Sequence, residues 1–371
     1  MTNLQHKPFQ IINATARCES TPIKHVVKTA FGVMKARHAV FLLLENEAGQ
    51  VGVGESWINF PVWGHRTRIA AFEQAIIPWL AGRVVENVVE TVVQLYRVLE
   101  GPARQSGTIG PMLSALCAVE LALWDLAGQI ENKPLAHLWY EQPNEKVRVY
   151  ASGINSPLPW ALIDAHLDRG VNLFKLKLGF GEEEDRRNLT ALKNHLGDRA
   201  RVAVDVNRGW SFEQAKRWLP ILADYDVQWL EEPLRFADEH HYRELHELSV
   251  IPLAGAENIQ MEPTVEVMPF AAASFDILQP DVTKYTPLHV ALNLRETAED
   301  MGKHMIPHIL GSGPGQAASI QLAAGFGMGL VELDINENPL RTDLCDAPFE
   351  IVNGVITLPD RAGIGWQLKE T

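Results

Sequence analysis

Seven side chains able to do acid–base or metal chemistry recur at nearly equal intervals: Lys177, Asp205, Glu231, Glu257, Asp281, His308 and Glu332. The steps between them are 28, 26, 26, 24, 27 and 24 residues. Each stands at the end of a short apolar run of strand character. One strand–helix unit of an α/β barrel occupies about that length, and barrel enzymes gather their reactive groups at the carboxyl ends of the strands, around one mouth. The ordered set therefore predicts a single site.

Residue types then suggest the chemistry. Lys175 and Lys177 are two apart, so on a strand both face the same way. Their mutual repulsion and burial are expected to depress lysine pKa and allow a base near neutral pH. Asp205 and Asn207 share a face by the same spacing. Glu231 and Glu232 are adjacent, so strand alternation lets only one of them point inward. Three carboxylates from neighbouring strands, Asp205, Glu231 and Glu257, form an oxygen-only set, which favours Mg²⁺ over zinc. His304 and His308 have the spacing of a helical zinc pair, but Pro307 between them argues for a strand. Asp281 and His308 close successive strands, near enough for the carboxylate to orient the imidazole.

The elements that must position these groups can be read from periodicity. Strands begin near residues 147, 173, 202, 227, 252, 276, 304 and 329, and segments 182–196, 211–223, 286–301 and 314–324 read as helices. Eight strands alternating with seven helices imply a parallel sheet, and eight is the number that closes a barrel. A doubly wound sheet competes, yet neither G-x-G-x-x-G nor G-x-x-x-x-G-K-[ST] occurs. GSGPGQ at 311–316 reads as a tight loop. Upstream, runs 39–44 and 50–53 flank ENEAG and predict a hairpin. Apolar periodicity then predicts helices over 69–80, 84–99 and 111–130, the last stopped at 132–134.

Composition excludes several classes. The 371 residues are 46% hydrophobic and 21% charged, with a net charge of −13. That sign disfavours a nucleic-acid partner. No apolar run approaches the roughly 20 residues of a membrane span, and the first residues show no signal pattern. Cys18, Cys117 and Cys345 are scattered, which fits a reducing cytoplasm and no disulfide framework.

Taken together, Lys175-Leu-Lys177, Asp205-Val-Asn207, Trp229-Leu-Glu231-Glu232-Pro233, Gly255-Ala-Glu257-Asn258, Gln279-Pro-Asp281, Pro307-His308 and Glu332 resemble the enolase superfamily, and within it the mandelate racemase subgroup. AVELALWDLAGQ at 118–129 and LPDRAGIGW at 358–366 extend the resemblance over nearly the whole chain. It implies a (β/α)₇β TIM-like barrel over 147–340 under an α+β capping domain, 1–130, completed by about 350–371. It implies one Mg²⁺ per barrel, replaceable by Mn²⁺, on Asp205, Glu231 and Glu257. Lys177 and the His308–Asp281 dyad would flank the α-carbon of a small-molecule carboxylate, with Lys175 and Glu332 at the carboxylate itself. An enediolate survives only beside a cation and hydrogen-bond donors, which this set provides.

The implied enzyme is a lyase or isomerase. Dehydration of an acid sugar to a 2-keto-3-deoxy acid is the leading expectation, with epimerisation, racemisation and lactone cycloisomerisation as branches from the same first step. A homo-oligomer, dimer or octamer, is also implied. Substrate contacts are expected from capping-domain loops through Lys24, His25 and Trp57, with Trp63 and His65 nearby, and from Asn207. Two departures stand out. Thr283-Lys284 follows Asp281, and the muconate-lactonizing subgroup uses a sixth-strand lysine as a base; Glu257 and His308 argue for the other subgroup, so no catalytic part is given to Lys284. Ala256 interrupts a more usual Gly-Glu-Asn and is expected to be neutral. A non-catalytic barrel is disfavoured because none of the seven groups is missing.

Overall fold

A computed structural model describes residues 5–29, 32–235, 239–264, 271, 273–345 and 349–369. The predicted hairpin is present, as part of a larger antiparallel sheet. Strands β1 (Phe9–Thr29), β2 (Gly32–Asn46), β3 (Val51–Ser56) and β4 (Val84–Val85) lie in the order β3-β2-β1-β4. β4 takes the start of the helix expected from 84. The helix begins instead at Val88, because the Asn87 side chain accepts a hydrogen bond from the Glu90 N–H and caps it there.

The next helix, Ile109–Glu131, is apolar on almost every face and is buried from Met112 to Gly128. Its length and composition would suit a membrane span, yet the fold itself covers it. β3 lies directly on this helix. A Cβ on Gly54 would come within 1.8 Å of the Ala118 carbonyl oxygen, and one on Gly52 within 2.2 Å of that of Ala122. Only glycine permits that approach.

The second sheet carries the reactive residues. Among the described residues, its parallel strands are β5 (Lys146–Ile154), β6 (Leu173–Lys177), β7 (Arg201–Asp205), β8 (Val227–Glu231), β9 (Leu253–Gly255), β10 (Ile277–Leu278), β11 (His304–Met305) and β12 (Leu330–Asp334). They pair in the order β11-β10-β9-β8-β7-β6-β5-β12, and β13 (Val355–Thr357) adds antiparallel to β5. Helices Glu182–Leu196, Phe212–Asp224, Leu288–Asp300 and Gly313–Ala323 match the expected segments to within two residues.

The sheet is curled. Tyr150, Ala203, Trp229, Ala254, Ile277, Ile306 and Leu330, drawn from strands across it, pack into one buried cluster on its inner face. The Ile309 N–H, in the loop after β11, donates to the Glu332 side chain of β12 at 3.3 Å.

Three buried carboxylates tie the antiparallel sheet to the rest of the fold. Asp334 pairs with Arg37 of β2 at 2.6 Å, both buried. Asp125 accepts the N–H groups of Val53 and Ile364. Glu55 of β3 accepts from the Ser312 N–H and hydroxyl and the Gly315 N–H, at the N-terminus of helix Gly313–Ala323. The GSGPGQ stretch therefore starts a helix rather than forming only a loop, because a carboxylate satisfies its free backbone donors. The three cysteines are free.

Candidate active site

All seven periodic residues converge at the carboxyl ends of β6 to β12, and all are buried. Lys175 is completely buried. Its Nζ reaches Glu231 Oε1 at 2.6 Å and Glu332 Oε1 at 2.9 Å, with Asp205 Oδ2 at 4.0 Å. Lys177 Nζ donates to Asp205 Oδ2. Asn207 turns back on the same carboxylate, its backbone N–H on Oδ1 and its Nδ2 on Oδ2.

These partners reverse the expected lysine chemistry. Burial lowers both lysines, but Glu231 and Glu332 outweigh it and hold Lys175 well above the usual lysine value. For Lys177, burial and Lys175 lower the pKa, and Asp205 together with Glu231 and Glu332 raises it above the usual lysine value. The carboxylates between the two ammonium groups override their repulsion. As placed, neither lysine is a ready base.

The dyad is assembled. His308 Nδ1 is 2.8 Å from Asp281 Oδ2, and Asp281 Oδ1 accepts from the Thr283 N–H and hydroxyl. His308 Nε2 contacts Glu257 and lies 3.8 Å from Glu332 Oε2. Burial lowers the imidazole, but Glu257, Glu332 and Asp281 raise it well above the ordinary histidine value. His304 is exposed on β11, away from His308, as expected for a strand and not a zinc-binding helix.

Strand alternation fails at one point. Glu231 and Glu232 are both buried. Glu232 escapes the alternation because its φ is +39°, in the left-handed region. Asn207 (+47°), Arg208 (+64°) and Ala256 (+102°) also have positive φ, so the loops after β7, β8 and β9 each carry backbone strain beside the site. Ala256 is thus held where glycine is easier, and the departure is not neutral in backbone terms. Burial, reinforced by Glu257 and opposed by Lys284, pushes Glu232 up to about 8. Burial, opposed by Lys175 and reinforced by Asp205 and Glu332, pushes Glu231 up to about 7.

These carboxylates can be tested against a divalent cation. As placed, no three acidic groups among the described residues surround a common point. Asp205 turns to Lys177, Glu231 to Lys175 and Glu257 to His308. The charge balance nevertheless fits. Six buried carboxylates, Asp205, Glu231, Glu232, Glu257, Asp281 and Glu332, face Lys175, Lys177, Lys284, His308 and, beside Glu232, Arg208. Negative charge is in excess even with the imidazole protonated. A dication would be drawn to that excess on Asp205, Glu231 and Glu257, an all-oxygen donor set.

A cavity of about 310 Å³ opens onto Lys177, Asn207, Glu257 and His308 and is walled by Trp57, Phe60, Tyr285 and Leu310. Trp57 therefore borders the site as expected. Lys24 and His25 do not. Both are exposed, in the stretch of β1 whose pairing with β2 shifts register between Pro22 and Val27, and the Lys24 N–H is held by Glu337. Trp63 is also exposed, and His65 stacks on His38.

Sequence reasoning gave Lys284 no part in the site, yet the structure places it there. Its Nζ lines the cavity over the Trp57 ring, 2.5 Å from Asn258 Oδ1 and 3.6 Å from Glu257 Oε1. Sequence reasoning missed Arg208 and Gln260 on the cavity wall. Lys284 carried a signal, since it stands three residues past Asp281. The loop residues carried none.

A curled parallel sheet under an antiparallel one gathers lysines, a histidine and carboxylates around one cavity, a set suited to acid–base chemistry. The chain belongs to the enolase superfamily, in its mandelate racemase subgroup. Residues 11–139 match the mandelate racemase / muconate lactonizing enzyme N-terminal domain, and residues 161–371 the enolase C-terminal domain-like family. D-galactarolactone cycloisomerase of Agrobacterium fabrum is 28% identical over 352 residues, 90% of this chain and 89% of that one. Arabinonate dehydratase of Saccharolobus solfataricus is 26% identical over 335 residues, 88% and 87%. A solved mandelate racemase/muconate lactonizing enzyme from Bordetella bronchiseptica RB50 is 30% identical, covers 98% of both chains and superposes with a TM-score of 0.87.

Proposed function

We propose that this enzyme removes the proton α to a carboxylate and that its overall reaction is dehydration of an acid sugar to a 2-keto-3-deoxy acid. The observation that carries the reading is that Lys177, on the second strand of the curled sheet, and His308, after the seventh, face one cavity across the carboxylate cluster. We read the sheet as a closed (β/α)₇β barrel over 147–340, capped by 1–130 and about 350–371.

In this reading Asp205, Glu231 and Glu257 hold Mg²⁺. When bound, the ion supplies positive charge to the substrate carboxylate and its enediolate, and it competes with Lys177 and His308 for their carboxylate partners. Lys175, fixed by Glu332, donates to a carboxylate oxygen as charge develops there. Either Lys177 or His308 takes the α-proton, according to substrate stereochemistry. The other protonates the departing β-hydroxyl. Asp281 keeps the proton of a neutral His308 on Nδ1, so that Nε2 faces the substrate as base or, once protonated, as acid.

Dehydratases and a cycloisomerase among the relatives support this class of chemistry. The test is a library of aldonates, aldarates and sugar lactones incubated with Mg²⁺, with 2-keto products read as semicarbazone absorbance. A 2-keto-3-deoxy product is expected. An α-epimer or an opened lactone in its place would move the reaction to the isomerase branch.

A further inference from the structure

Strand alternation layers the inner face of the curled sheet. Asp205 ends β7 at the active site, Ala203 below it belongs to the buried inner cluster, and Arg201 faces the same way at the amino end. Arg148 stands likewise two residues before Tyr150, and His304 two before Ile306, both members of that cluster. The sheet therefore has a second mouth, opposite the active site, edged by cations.

This mouth holds a cavity of about 620 Å³. Every parallel strand contributes to its lining, from its amino end or from the residue just before it. Trp229, Ile277 and Leu330 of the inner cluster form the floor. Arg148, Arg199, Arg201 and His304 stand on the wall and reach solvent, with Asp198 as the one carboxylate among them. Neutral acceptors hold the three guanidinium groups without cancelling their charge. Arg148 Nη2 donates to the Met328 carbonyl at 2.6 Å, Arg199 Nη2 to the His195 carbonyl at 2.6 Å, and Arg201 Nη1 to Gln228 Oε1 at 2.9 Å. Among the described residues, none of the three is in an ion pair. The nearby Asp276 is already taken by His246 and Lys303. The net charge of the chain is −13, so this cationic concavity runs against its overall sign.

The geometry points to a second binding site here, for a small oxyanion of at least two charges, a phosphate monoester or a dicarboxylate, on a compact body. Guanidinium forks match carboxylate and phosphate oxygens and stay charged at any working pH. Arg148 lies on β5 and Arg201 on β7, with β6 between them, so an anion seated at the start of β6 meets one from either side. The volume falls in the range of small-molecule sites, about 300–1,000 Å³. Binding at this mouth requires no part of the reaction proposed above.

The test titrates the full-length protein, loaded with Mg²⁺, with AMP, glucose 6-phosphate, succinate and inorganic phosphate in a calorimeter. Saturable binding of one anion per chain is expected, and the class that binds tells a phosphate ester from a dicarboxylate. Arg148→Gln and Arg201→Gln should each weaken it at least about tenfold, because each removes a charged donor. Lys177→Ala, which alters the active cavity, should leave it unchanged. Thermal unfolding checks that each variant folds. Binding that Lys177→Ala abolishes and both arginine variants keep would place the anion in the active cavity and overturn the proposal. Absence of saturable binding by all four anions also overturns it. If sedimentation then shows the arginine variants associating less than wild type, the mouth is instead an interface between copies of the chain.

Discussion

Replacing Asp281 by Asn removes one charge while changing almost no volume. The Oδ1 position is fixed by two donors, the Thr283 N–H and hydroxyl, so an amide oxygen must stay there. The amide NH₂ then takes the place of Oδ2, 2.8 Å from His308 Nδ1. It can only donate, so it forces Nδ1 to be the acceptor and puts the imidazole proton on Nε2, facing the cavity. The imidazole becomes the wrong tautomer for a base and loses the charge that favours its protonated form. A positioned acid or base is worth about 10²–10⁴ in rate, so kcat should fall at least about 100-fold, about 2.7 kcal/mol of barrier. His308→Asn should fall by a similar factor, and KM should change little because neither change touches Lys175, the lysine proposed to bind the substrate carboxylate. Steady-state kcat and KM, with a melting curve to confirm folding, read the outcome. A kcat within threefold of wild type for Asp281→Asn would refute the dyad.

Other outcomes follow from the same geometry. Exhaustive chelation should abolish activity and Mg²⁺ or Mn²⁺ restore it, while Glu257→Gln should lose metal by direct metal analysis; full activity after chelation contradicts the assignment. Lys284→Ala should lower kcat far less than Lys177→Ala, and a dead Lys284→Ala beside an active His308→Asn would move the second base to the sixth strand. Burial, opposed by the Ile364 and Val53 N–H groups, pushes Asp125 up to about 7 from 3.8. The folded state therefore keeps a proton that the unfolded chain releases near 4, so this group's contribution to stability is present below pH 4 and is lost as pH rises to about 7. That gap is worth up to about 4 kcal/mol, and Asp125→Asn should flatten this part of the pH profile of urea unfolding. Glu55→Ala should cost about 3 kcal/mol in unfolding free energy, since it strands three buried donors at a helix start, and Glu55→Gln should cost less.

The sequence made the strands and their terminal residues legible because one strand–helix unit repeats and because side chains alternate along a strand. Lys175 and Lys177 share a face for that reason, and Asp281 reaches His308 because their strands are neighbours. Legibility ended where alternation ended. Glu232 is turned inward by a left-handed residue past β8, which no pattern of polar and apolar residues records. The lysine pKa values were misjudged because repulsion between Lys175 and Lys177 was visible as spacing, whereas the intervening carboxylates come from β7, β8 and β12. The cavity wall was hardest to read. Trp57 lies in the chain just after β3, and its N–H is fixed by the Thr283 carbonyl across more than 200 residues, whereas Lys24 and His25, chosen by the same reasoning, point to solvent. Glu55 stood out by no motif or spacing, and only the fold puts it at the helix start after His308.

The most direct measurement is solvent deuterium incorporation at the substrate α-carbon, followed by proton NMR on the Mg²⁺-loaded enzyme with an aldonate that it binds. Wild type is expected to bring deuterium to the α-carbon or to turn the substrate over with loss of that proton. Whichever of Lys177→Ala and His308→Asn removes the base should stop exchange, and the double variant should show none. Exchange that persists at the wild-type rate in the double variant would contradict α-proton abstraction by these two residues.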